Sequence, residues 1–153
     1  MQQFFGKSLS GNLQDAVKGL KNPQFIMLFS NYSEFETHVK ALDKLYPKIP
    51  SIGCIGMGYS TTVIESGVSV VAFCGGISAT ANALEQVSIM PVKYIHRLEE
   101  DLQKINASHQ DTVCIDFCTG NDACALTTID TALKRYGVSL MGGTGDGGKV
   151  SVN

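Results

Sequence analysis

Cys114, Asp116 and Cys118 alternate along an apolar, strand-like run, Thr112 to Cys118, and therefore share one face of it. Cys124 follows in the first turn of the next helical stretch, where the helix terminus favours a thiolate. The chemistry these residues could do is that of an activated thiol, a cytoplasmic thiol enzyme centred on Cys124 or Cys118. Against it stands the ordinary role of cysteine as a small, buried apolar residue. Their spacing lacks the Cys-x-x-Cys knuckles and histidines of a metal cluster, so no metal is expected. Asp116 is the odder member. A carboxylate inside an apolar strand must find hydrogen-bond donors, and its place just before Thr119-Gly120-Asn121 is where open α/β sheets make ligand contacts.

Two glycine-rich segments could hold a ligand by their backbones. Gly143 to Lys149 reads GTGDGGK and fits the first seven positions of a phosphate-binding loop. The eighth position, which should be Ser or Thr, is Val150, and the residues after it favour a strand where that loop needs a helix. GCIGMG, Gly53 to Gly58, reverses the dinucleotide fingerprint and again precedes strand-like residues. Both are better read as unobstructed backbone at strand ends, open to a small molecule or to another strand.

The chain has three histidines. His38 borders the apolar face of its helix, between Phe35 and Leu42, and reads as a satisfied, half-buried ring. The alternative for it, or for His96, is an axial haem ligand. His96 is expected to be exposed, and His109 lies in a polar loop. Five cysteines and no secretion signal fit reduced thiols in a cytoplasmic protein. A net charge of −2 without a basic run excludes a nucleic-acid surface, and no apolar stretch is long enough to span a bilayer.

The elements that must position these residues alternate. Leu13 to Leu20 has helical spacing, and Phe25 to Phe29 is an apolar strand. Ser33 with Glu36 opens a helix carrying Phe35, Val39, Leu42 and Leu45 on one face. Ser51 to Met57 is the next strand. Thr62 to Glu65 and Val68 to Phe73 suggest a hairpin around Ser66-Gly67. A short helix is expected near Ala81 to Val87, then a helical stripe of Ile95, Leu98, Leu102 and Ile105. After Thr112 to Cys118, Asn121 can cap a helix facing inward with Ala123, Leu126, Ile129 and Leu133, and Gly137 lies just past its end. Val138 to Met141 and Val150 to Val152 close the chain as strands. The alternation predicts an α/β fold, a layered, mixed but largely parallel sheet with helices on both faces. With 153 residues, 44% of them hydrophobic, one domain over residues 1–153 is expected. The strand at the C-terminus suggests one piece of a longer protein.

Three blocks carry a resemblance: NPQFIMLFSNYSEFETHVKAL, IPSIGCIGMGYSTTVIESGVSVVAF and CIDFCTGNDACALTTIDTALKRYGVSLMGGTGDGG. In this order they resemble the N-terminal domain of the FIST family, a sensory signal-transduction domain. Pro50 to Gly58 stands where the family shows P-x-x-G-C-[ST]-[ST]-x-G, with Ile55 and Gly56 in place of the hydroxyl pair. Gly142 to Asp146 stands for the family's G-G-[ST]-x-[GA]-D turn, one residue shorter. The resemblance implies a non-catalytic bacterial sensor of a small ligand, with amino acids or their derivatives proposed. It also implies an output in a chemotaxis receptor, a histidine kinase or a cyclic-dinucleotide enzyme, and haem-based nitric oxide sensing in some members. The expected cleft has Gly53, Cys54 and Gly58 on one wall and Gly142, Gly143, Gly145 and Asp146 on the other, with polar contacts from Asp116 and Thr119. An exposed sheet edge could drive homo-oligomerisation.

Overall fold

The computed structural model describes residues 1–59, 63–64, 66–120 and 122–153. The chain divides into two units, Met1–Ala81 with Gly145–Asn153, and Asn82–Thr144. The first unit is built on a five-stranded sheet. Its strands are β1 (Gln2–Ser8), β2 (Pro23–Ser30), β3 (Ser51–Ile55), β6 (Val68–Cys74) and β9 (Val150–Val152), in the spatial order β1-β6-β2-β3-β9. A two-stranded ribbon, β4 (Gly58–Tyr59) with β5 (Val63–Ile64), also belongs to it.

The central strand β2 shows why the sheet forms. Ile26, Leu28 and Ser30 point to one face and are fully buried, while Phe25, Met27 and Phe29 on the other are half-buried. Val68, Val70 and Ala72 of β6 are buried with them, and Leu13, Ala16 and Val17 of the α1 region complete the cluster with Leu42. Helix α1 (Leu13–Ala16) is one turn, capped by the Asn12 side chain accepting from the Gln14 amide at 3.0 Å. Gly19 and Asn22, both at positive φ, stop the longer helix that the Leu13 to Leu20 spacing predicts. Helix α2 (Phe35–Leu45) buries Phe35, His38 and Leu42 at helical spacing and connects β2 to its parallel neighbour β3.

The second unit holds helix α3 (Pro91–Lys104), strand β7 (Val113–Cys118), helix α4 (Asp122–Lys134) and strand β8 (Ser139–Thr144). β7 and β8 run parallel, with α4 as the connection between them. Leu102, Ile129, Leu133 and Val138 form its core. Leu126, expected on the inner face of α4, is exposed, and the buried stripe continues through Ala132 and Leu133.

The fold is mixed α/β, but the expectation of a largely parallel sheet is corrected. Among the described residues only β2–β3 and β7–β8 are parallel; β1–β6, β2–β6, β3–β9 and β4–β5 are antiparallel. The reason lies in the connections. A parallel neighbour needs a crossover element, which α2 and α4 supply for β2–β3 and β7–β8; β6 inserts antiparallel between β1 and β2, and β9 adds antiparallel to β3, each entering from a loop or a short turn. The hairpin expected around Ser66-Gly67 is also replaced. β5 pairs with β4, and β6 lies between β1 and β2. The stretch expected to be a helix near Ala81 to Val87 has no helical residue; it ends in turns over Glu85–Ile89. The proposed Asn121 cap lies outside the described residues, as do Thr62 and Glu65. No helix among the described residues is long and apolar enough to cross a membrane.

Candidate functional site

The carboxyl ends of the parallel pair β2 and β3 meet the start of β6. The Asn31 amide donates to Gly67 O at 3.2 Å, and the Gly56 amide donates to Ser30 O at 3.2 Å. Gly67 turns the chain into β6 with φ +84°, and a methyl group there would lie 2.1 Å from Ser8 O. Only glycine meets both demands. Beside this junction lies a hollow of about 10 Å3, room for roughly one water molecule. Gly56, Gly58 and Gly67 border it, with Phe29 and Ile64 as its apolar sides and Asn31, Ser66 and Ser69 as its polar ones.

Ser69 is the unusual member. By strand alternation it faces away from the Val68 and Val70 side of β6, yet it is only 1% exposed. Gly58 of β4 covers it so closely that a methyl group at Gly58 would lie 2.1 Å from Ser69 Oγ. Among the described residues no side-chain or backbone group hydrogen-bonds to that hydroxyl.

The other residues expected to line a cleft are placed as follows. Gly53 sits mid-sheet, where a side chain would meet Ser151 Oγ at 2.7 Å and Leu28 Cβ at 3.2 Å, so strand packing already accounts for its size. Cys54 is buried, and Gly145 lies over it, with 3.1 Å from a side chain's first carbon there to Cys54 Cβ. Asp146 opens a single 3-10 turn, Asp146–Gly148, in the same unit. Asp116, Thr119, Gly142 and Gly143 belong to the second unit. Asp116 pairs in register with Gly142, where any side chain would run into the Asp116 carbonyl at 2.0 Å, whereas Gly143 faces open space. The donor that Asp116 required is Cys118, whose thiol lies 2.7 Å from Asp116 Oδ2.

The lysine of the phosphate-loop-like segment is committed elsewhere. Lys149 Nζ donates to Glu36 Oε1 at 2.7 Å and lies 5.2 Å from the Tyr32 ring centroid. That hydrogen bond and charge hold the Glu36 carboxyl below its ordinary range and lift the Lys149 ammonium above its own. His38 is buried, with Nε2 donating to Gly11 O at 2.7 Å and Nδ1 2.6 Å from Ser30 Oγ. Both ring nitrogens are spent, so this histidine does not fit an iron ligand. His96 is exposed and lies 3.7 Å from Glu99. Among the described residues no three His, Cys, Asp or Glu side chains are grouped as metal ligands would be.

Cys124 is the third residue of α4 and half-buried. Burial pushes the Cys54 thiol up to about 11, and burial reinforced by the Asp116 charge does the same for Cys114. At neutral pH the thiolate fraction of each is about one in ten thousand, so iodoacetamide should label neither until the chain unfolds. Rapid labelling of both in the native state would contradict this burial. The sign of the pH effect follows from the same shifts. In the unfolded chain a thiol loses its proton near 9, while the folded state holds it to about 11. The urea midpoint should therefore fall as pH rises across that window.

Neither the curated proteins nor the solved structures contain a match to this chain. The family model described as the FIST N domain matches residues 24–152, from β2 through the hollow to β9. That match spans far more than half of the sequence, and the chain belongs to the FIST N domain family.

Proposed function

We propose that this domain is the sensing part of a signalling protein and that its first unit takes a small polar metabolite at the strand ends around Gly56, Gly58 and Gly67. The FIST N domain is a sensory signal-transduction family. The observation that carries the reading is the Ser69 hydroxyl, buried and unpartnered beside a hollow at the end of a parallel strand pair. Ligands of α/β sheets gather at such ends. A buried hydroxyl without a partner costs free energy that a bound polar group recovers. Gly53, Cys54, Gly145 and Asp146 are proposed to shape the floor of the same region. Asp116, Thr119, Gly142 and Gly143 are the second unit's own proposed contact set. The family supports a role upstream of a chemotaxis receptor, a histidine kinase or a cyclic-dinucleotide enzyme, with no chemical step performed by this domain.

A thermal-shift panel of small polar metabolites, amino acids included, tests the proposal. A ligand at a hundred times its dissociation constant should stabilise the fold by about 2.7 kcal/mol, a rise of several degrees. Gly58→Val, whose side chain would press on Ser69, should remove that response. A panel without any shift would overturn the metabolite reading.

A further inference from the structure

We infer that the hollow under β4 is a seat for one uncharged hydroxyl group, read by Ser69, and that an ordered water and a ligand's alcohol are the two sources of that group. The inference rests on the metabolite reading only for the second source.

Size comes first. The hollow is small and half-open, with about 10 Å3 of room for a water-sized group, so what it seats is the tip of a molecule or a water. Charge comes next. No charged side chain lines the hollow among the described residues. A carboxylate could still be held by free backbone amides, but the two at the strand ends, Asn31 and Gly56, already donate to Gly67 O and Ser30 O. The Asn31 side chain is engaged at both ends as well. Its Oδ1 accepts from the Glu34 amide at 3.0 Å, and its Nδ2 donates to Glu34 Oε2 at 2.9 Å. Among the described residues an ammonium group would find no carboxylate facing it. Bringing either charge into such surroundings costs far more than one hydrogen bond to a serine returns.

A hydroxyl is different. Ser69 Oγ can donate one hydrogen and accept others, and an alcohol or water has the same inventory. The pair satisfies itself whichever way its hydrogen points. Ser69 reaches this position because Gly58 carries no side chain; any larger residue there would collide with Ser69 Oγ and Cβ. The glycine pattern and the serine are thus two halves of one device.

Ser69→Ala tests the seat by the sign of its effect. If the hydroxyl is bonded to a seated group, its removal should lower the melting temperature, by about 3–5 °C for a domain of this size. An unchanged or raised melting temperature of the ligand-free protein would mean that a bare buried hydroxyl had been relieved; it excludes water as the source and, together with equal affinities for the two probes below, overturns the proposal. The source is distinguished by the paired probes L-serine and L-alanine, which differ by one hydroxyl. A ligand source predicts that wild type binds L-serine at least tenfold more tightly than L-alanine and that Ser69→Ala erases the difference. Equal affinities in wild type overturn the ligand source and, with a lowered melting temperature, assign the seat to water. A metabolite panel in which nothing binds overturns the preceding reading, while the sign of the melting shift still decides the seat.

Discussion

Leu28→Ala should destabilise the domain by roughly 2–5 kcal/mol, read as a fall in the urea midpoint with an unchanged slope. Leu28 is wholly buried and lies at the centre of the sheet, opposite Val70 of β6 on one side and Gly53 of β3 on the other. Its neighbours cannot collapse into the space it leaves. Gly53 has no side chain to offer, and Val70 is fixed by two strands. The cost should therefore sit in the upper half of the range. Met27→Ala, on the half-buried face of the same strand, should cost clearly less. Equal costs at both positions would contradict the assignment of the core to the Ile26, Leu28 and Ser30 face.

That face was only partly legible in the sequence. Phe25 to Phe29 is an unbroken apolar run and gives a strand without saying which side is fully buried. The helix over Phe35 to Leu45 was readable because its apolar residues return every three or four positions and Pro47 ends it. β1 was not readable. Gln2, Gln3 and Lys7 break its alternation, and as an edge strand it needs little apolar content. The direction of the sheet was misread because helix–strand alternation predicts crossovers, while β6 and β9 enter without one. The glycine positions were legible as small, but not why. Gly53 and Gly142 are small because a neighbouring strand fills their side-chain space, and Gly58 because Ser69 does. Ser69 itself gave no signal. Its burial comes from the β4–β5 ribbon, whose pairing depends on contacts the local pattern does not encode.

His38→Ala is the second change with a large expected effect, a loss of roughly 3–5 kcal/mol. The side chain is buried on the inner face of α2, so truncation opens a cavity. It also removes the partner of Gly11 O and the nearer of two partners of Ser30 Oγ, the other being Asn31 O at 3.2 Å. A carbonyl only accepts, so Nε2 carries the hydrogen, and in the neutral ring Nδ1 accepts from the Ser30 hydroxyl. This chain of bonds ties the Gly11 loop, α2 and the end of β2 together, and Asn31, the next residue, borders the hollow. His38→Phe separates the two contributions, since it restores the volume and not the bonds; it should recover part of the loss. His96→Ala, on the exposed face of α3, should change stability by no more than about 0.5 kcal/mol. The contrast bears on any haem titration. A weaker absorbance in the His38→Ala variant would follow from a damaged fold, so it counts as ligation only if the variant's urea midpoint equals that of wild type. A midpoint for His38→Ala within experimental error of wild type would show that the ring does not hold these three elements together.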